Sequence, residues 1–354
     1  MCRVRLNPSI TAIDEATDAY QVPKLIRLAP NLFGVAFSLM KLIPARFILR
    51  KAQLDGRLDP DTVIVETTSG TFGLALAMQA VHLPNRLILV SDPVIDERLH
   101  RRLTDLGAEV QRVPAAAATA PGGYQAARLA RLAQLRAEHR ATFCPEQYSN
   151  PDNPRSYAAV ADLLLGGLGQ IDCIVGTVGS GGSMCGTVAG LRRALPHCRA
   201  IAVDTHRSVL FGHPDGAREL RGMGMSLLPA NLDHRLFDEV HWCSPPAAYA
   251  ATRQLHRHSG LFMGPTSGAA YRVARWWART HPDGLAVVML PDEGHRYIDT
   301  VYDDQWLASR HQPVPAEPTY VADPARHDEP WPAYRWARRG FAEVMAAKRH
   351  PAPL

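Results

Sequence analysis

The residues of this 354-residue chain best suited to chemistry are glycines and hydroxyls gathered into short turns. The strongest is VGTVGSGGSMCGTVAGL (175–191), where an apolar strand runs into Gly179, Ser180, Gly181, Gly182 and Ser183 and a helix is predicted over 183–195. Glycines let a ligand approach the backbone, and the exposed N–H groups with the positive end of the following helix form a cradle suited to phosphate. Neither familiar phosphate motif is present. Met184 stands where a dinucleotide fingerprint needs its third glycine, and Gly182 stands where a P-loop needs lysine. TTSGTFG (67–73) and MGPTSGAA (263–270) are two further glycine turns lined with hydroxyls, and LPDEGHRY (290–297) closes a strand. Any one of these alone can serve only to turn the chain. The lysines are just four, Lys24, Lys41, Lys51 and Lys348, so chemistry that needs an amine has few places to occur.

The elements that must position these turns follow a regular rhythm. TVIVE, RLILVSD, EVQRV, CIVGTV, RAIAVD and LAVVMLPD read as strands, and GLALAMQAV, IDERLHRRLTDLG, 183–195 and AAYAATRQLHRHSG as helices. Alternation of this kind predicts α/β architecture with largely parallel sheets. Two clusters of it, parted by the loop at 147–154, predict two lobes with a cleft between them. Beyond Leu307 the sequence turns proline-rich (HQPVPAEPTYVADPARHDEPWPAY) before a short helical RWARRGFAEVMAAKR, which reads as an extension over the surface or toward a partner, or as disorder.

Composition excludes several classes. With 46% hydrophobic and 21% charged residues and no apolar run of about 20, neither disorder nor a membrane span is expected. The net charge of +5 comes from 39 basic residues scattered singly and in pairs, a solvated surface rather than a nucleic-acid face. Cys2, Cys144, Cys173, Cys185, Cys198 and Cys243 show neither a CxxC pair nor metal-ligand spacing, so reduced thiols and no metal are expected. The opening MCRVRLNPSI lacks an apolar run of signal type, and the expected location is cytoplasmic.

Taken in order, the TTSGTFG, GSGGS and GPTSGAA turns resemble the loops of cysteine-synthase-like enzymes, the fold type II pyridoxal-phosphate scaffold, over about residues 20–307. Within that family, SDPVIDERLHRRLTDLGAEV, PGGYQAARLA, DTHRSVLFG with ARELRGMG, and PDEGHRYIDTVYDDQWL look most like the synthases that join O-phosphoserine to glutamate. The resemblance implies a two-lobed α/β fold like that of the tryptophan synthase β chain, each lobe a mostly parallel sheet flanked by helices. A large cofactor-binding lobe would comprise 1–34 and 145–307, a small mobile lobe 35–144, and a C-terminal extension 308–354. It implies pyridoxal 5'-phosphate as cofactor, small amino-acid substrates, a homodimer, and replacement of the β-substituent of O-phospho-L-serine or O-acetyl-L-serine by an amine or thiol, L-glutamate among the candidates, in amino-acid or siderophore-type natural-product biosynthesis.

By the same resemblance, Lys41, counted back from LDGRL, would bind the cofactor and act as base, and Gly179, Ser180, Gly181, Gly182 and Ser183 would grip its phosphate. Thr266 would face the ring nitrogen. Thr68, Ser69 and Gly70, with Gln147 and Tyr148, would bind the substrate, and Gly222 and Gly224 would lie near the ring. Tyr148, Arg218 and Arg221 point to a dianionic leaving group, phosphate in preference to acetate. The pattern departs in two places: Leu39, Leu42 and Ile43 replace a serine, an acid and an arginine around Lys41, and Thr71 replaces an asparagine that bonds the cofactor's phenolic oxygen. Two other readings therefore stay open, a family member that binds a ligand or partner without this chemistry, and a nucleotide-binding protein.

Overall fold

The computed structural model describes residues 13–68, 70–119, 123–310 and 314–347. Its strands are β1 (Lys24–Ala29), β2 (Leu32–Ala36), β3 (Val63–Thr67), β4 (Leu87–Ser91), β5 (Glu109–Arg112), β6 (Thr142–Phe143), β7 (Cys173–Thr177), β8 (Arg199–Asp204), β9 (Glu239–Trp242), β10 (Ala286–Leu290), β11 (Thr319–Tyr320) and β12 (Pro332–Arg335). Two sheets result. The larger runs β1-β2-β10-β7-β8-β9-β12-β11, and the smaller, wholly parallel one runs β5-β4-β3-β6. In the larger sheet β2, β10, β7, β8 and β9 are parallel, with antiparallel β1 and β12 at either side.

The central strands are apolar on both faces because helices cover both. Ile174, Ala200, Ala202, Val240, Val287 and Met289 enter one core of the large lobe, and their alternates Cys173, Val175, Ile201, Val203 and Val288 enter the other. The same alternation sends Ile64, Leu87 and Leu89 to one side of the small sheet and Val63, Val65, Ile88 and Val90 to the other.

The chain leaves the large sheet at residues 37–41 rather than at residue 35. Val35 and Ala36 are still strand residues, paired with Met289 and Leu290, and they lie in the large-lobe cores. The helix Leu42–Leu54 then turns Leu42, Ala45, Ile48 and Leu49 into the small-lobe core. The extension is ordered along the large sheet: β12 pairs Ala333 with His241, β11 pairs with β12, and the helix Phe341–Ala347 buries Val344. Residues 1–12, 311–313 and 348–354 lie outside the described set, and Cys2 and Lys348 with them.

Candidate active site

Three chain turns converge where strands of the two lobes end. β7 ends at Thr177, and its chain passes through Val178–Gly181 into the helix Gly182–Ala194. Gly181 sits at φ +83°, where a side chain would be strained, and a Cβ there would lie 2.8 Å from the Asn231 carbonyl oxygen. A Cβ on Gly182 would overlap the Asn153 carboxamide, and one on Gly179 would lie 3.0 Å from the Gly222 carbonyl oxygen. No side chain caps this helix, so its first amides remain available to an anion.

Lys41 closes the turn that follows β2 and is the N-cap of Leu42–Leu54. The turn is pinned to the end of β10, Phe37 N–H donating to Leu290 and Met40 N–H to Pro291. Its Nζ donates to Ser180 Oγ at 3.3 Å. Burial alone pushes the ammonium down to about 8. Of the other lysines, Lys24 is in β1, and Lys51, in the last turn of Leu42–Leu54, pairs with Asp152 at 2.8 Å.

Thr266 lies in the first turn of Pro265–Thr280 and is buried; its hydroxyl donates to Asp292 Oδ1 at 3.5 Å, and Tyr297 donates to Oδ2 at 3.2 Å. Burial raises the Asp292 carboxyl above the usual range, with Arg296 opposing. Gly222, at φ +87°, packs against Thr266, and Gly224 N–H donates to Val178, which ties the RGMG turn to the glycine turn.

The small-lobe turn is organised differently from the expectation. Thr68 Oγ1 accepts from Gly70 N–H at 3.2 Å and Gly73 N–H at 3.0 Å. The hydroxyl meant for substrate carboxylate therefore satisfies the open amides of helix Thr71–Ala80, whose N-cap, Gly70, has no side chain to do so. Thr71 begins that helix and is half-buried. Ser69 lies outside the described residues.

Gln147 is buried where the chain returns to the large lobe. Its carbonyl accepts from Asn153 Nδ2 at 2.6 Å and Asn231 Nδ2 at 3.1 Å, and its N–H donates to Glu66 Oε2 at 3.3 Å. Asn153 Nδ2 also reaches Ser180 Oγ at 3.4 Å, so one polar chain joins Gln147 to the lysine. Burial pushes the Tyr148 phenol up to about 12, against the pull of Arg128.

Arg218 is occupied in its own loop by Asp215 and Ser226, which removes it from the expected leaving-group site. Arg221 instead lies 3.7 Å from Asp92, and Arg128, only 9% exposed, lies 3.2 Å from the other oxygen of Asp92 with its Nε poorly aligned for a hydrogen bond. Glu66, Arg128, Asn153 and Asp292 were not singled out in the sequence, although Arg128 lies within PGGYQAARLA and Asp292 within LPDEGHRY, because nothing in those segments marks one polar residue above its neighbours.

Residues 40–292 match a protein family described as pyridoxal-phosphate dependent enzyme. The chain is 36% identical over 271 residues to an N-(2-amino-2-carboxyethyl)-L-glutamate synthase of Cupriavidus metallidurans, covering 75% of this chain and 79% of that protein. An O-acetylserine-dependent cystathionine β-synthase of Helicobacter pylori superposes with TM-score 0.75 at 25% identity, over 82% of this chain and 99% of that one. A cysteine synthase of Entamoeba histolytica shares the fold at 22% identity and TM-score 0.78, over 87% and 98% of the two chains.

Proposed function

The chain belongs to the family of pyridoxal-phosphate-dependent enzymes, and from that premise we propose that it replaces the phosphate of O-phospho-L-serine by an amine, with L-glutamate as the favoured acceptor ahead of a thiol. The single observation that carries this reading is the lysine, half-buried at the mouth of the glycine turn with its Nζ on Ser180. The residues present fit the cofactor: a glycine turn packed tightly on Asn153, Asn231 and Gly222, open helix amides for its phosphate, and a neutral Thr266 hydroxyl for its ring nitrogen. When bound, pyridoxal phosphate supplies the electron sink that lets an α-proton and a β-substituent leave a serine derivative.

The chain's own residues do the rest. Lys41 holds the cofactor at rest and takes the proton from the substrate's α-carbon, for which an amine lowered to about 8 is suited near neutral pH. By the family resemblance Gln147 and the 68–70 turn hold the substrate carboxylate, with the Thr68 hydroxyl fixing that turn rather than touching the substrate. The Cβ–O bond breaks with its electron pair going to phosphate, the acceptor nitrogen bonds to Cβ and gives up its proton, and Lys41 returns a proton to the α-carbon. Arg128 from the small lobe and Arg221 from the large one share the single charge of Asp92 beside Tyr148, leaving a net positive cluster to receive a dianion.

No helix among the described residues is long and apolar enough to cross a membrane. We read the protein as a cytoplasmic homodimer that makes an amino-acid building block for natural products such as siderophores; its free cysteines suit reducing surroundings. A second reading, a ligand-binding member without turnover, is favoured by Leu39 and Thr71, where the family pattern is lost. Purified protein loaded with pyridoxal phosphate decides between them. The first reading expects visible absorbance bleached by borohydride, and phosphate release from O-phosphoserine faster than acetate release from O-acetylserine. Absence of the absorbance at saturating cofactor defeats it, and equal or reversed rates defeat the choice of leaving group.

A further inference from the structure

Glu66 is a carboxylate at the end of β3 that the chemistry above does not use, and it is 2% exposed. Its Oε1 accepts from Thr67 N–H at 2.8 Å, the residue that opens the 68–71 turn. Its Oε2 accepts from Gln147 N–H at 3.3 Å. The turn that Thr67 opens and the Gln147 segment, the two that the proposed reading gives to the substrate carboxylate, thus meet on one side chain. Gln147 is gripped from both lobes: its N–H by Glu66 from the small sheet, its carbonyl by Asn153 and Asn231 from the large lobe. A carboxylate oxygen is the natural group for this task, since it accepts from two backbone donors and has no proton of its own to place.

We propose that Glu66 is a positioning residue of the reaction, clasping the Thr67 and Gln147 backbones so that both carboxylate-binding segments keep one geometry and substrate affinity is set by that clasp. The inference rests on the reading above for the identity of the substrate, though not for the clasp.

The surroundings make the clasp dependent on charge. Helix Gly123–Glu138 presents Arg136, the segment after β6 presents Cys144, Glu146 and Tyr148, and β4 places Leu89 opposite. Arg136 pairs with Glu146 instead, at 3.3 Å. Among the described residues no cation forms an ion pair with Glu66, whose charge is held by backbone N–H groups; burial pushes its carboxyl up to about 7. It borders a cavity of about 520 Å³ with Thr67, Cys144, Tyr148 and Leu227, a route for protons. Protonation places a hydrogen on an oxygen that must accept, so the clasp is whole above about pH 7 and loosens below it.

The test uses the cofactor-loaded enzyme with O-phosphoserine. Glu66→Gln is expected to raise KM for O-phosphoserine tenfold or more while kcat falls less than threefold, to leave KM for the acceptor unchanged, and to abolish the acid limb of kcat/KM near pH 7. Glu66→Asp, which keeps the charge, should recover part of the affinity. Wild-type KM and an intact acid limb in Glu66→Gln overturn the proposal, as does an equal loss for both substrates. Should the glutamine variant not fold, hydrogen exchange of the 145–150 peptide in wild-type enzyme still decides. Corrected for intrinsic rate, its protection should fall as pH drops through 7, and constant protection overturns the clasp. Absent turnover in wild-type protein defeats the substrate reading alone, because the exchange experiment stands without it.

Discussion

The ammonium of Lys41 has one hydroxyl for company, and its depression to about 8 comes from burial rather than from a neighbouring cation. The neutral amine is the nucleophile that captures an aldehyde, so cofactor uptake by apoenzyme should accelerate as pH rises from 7 to 9, with a midpoint near 8, read as growth of visible absorbance. Lys41→Ala should lose that absorbance and all turnover; if the absorbance survives, another lysine holds the cofactor. Thr71 tests a different point. It begins helix Thr71–Ala80 in place of a longer amide side chain, and Thr71→Asn should tighten cofactor binding severalfold in equilibrium dialysis, with unchanged affinity counting against a phenolic-oxygen contact there. The resemblance, helped by the scarcity of lysines, singled out Lys41 in the sequence, and the structure sets its Nζ on Ser180. Glu66 and Asn153 were not, because Gln147 lies 81 residues from Glu66 and Ser180 lies 27 from Asn153, and only folding brings those pairs near.

Strands and helices announce themselves through period and punctuation, which is why β7, the glycine turn and helix Gly182–Ala194 were readable nearly to the residue. What the pattern could not give is the reason each glycine is there. At Gly181 it is the backbone angle and the Asn231 carbonyl; at Gly182 it is the Asn153 carboxamide, the group that spans Gln147 and Ser180. Gly182→Ala should therefore push Asn153 aside and weaken cofactor retention at least tenfold, about 1.4 kcal/mol, while far-ultraviolet circular dichroism stays that of wild type. Retention at wild-type occupancy would mean that the phosphate sits elsewhere. Thr68 shows the limit of motif transfer. Its type fits a carboxylate ligand, yet its Oγ1 is taken up by the amides of Gly70 and Gly73.

At the scale of the whole molecule the proline-rich extension is a structural part of the large lobe. Its strands have two and four residues, too short for periodicity to reveal, and they are defined by pairing with β9 across almost a hundred residues of sequence. Pairing covers an edge that β9 would otherwise expose. The anchor is Trp336, fully buried, edge-on to Phe211 at 5.1 Å and stacked on His234 at 5.4 Å; Trp331 joins it by donating to His241 Nδ1 at 3.2 Å. Phe211 belongs to the loop between β8 and the RGMG turn, so the extension packs against a segment that leads toward the candidate site. Trp336→Ala removes a large buried ring and should lower unfolding free energy by about 3–5 kcal/mol in a urea titration. The cleft residues are untouched by that change, and visible absorbance at saturating cofactor should persist below the unfolding transition. A stability loss under about 1 kcal/mol would place the extension outside the cooperative core, and loss of the absorbance with the fold intact would show that Phe211 transmits the anchor to the site.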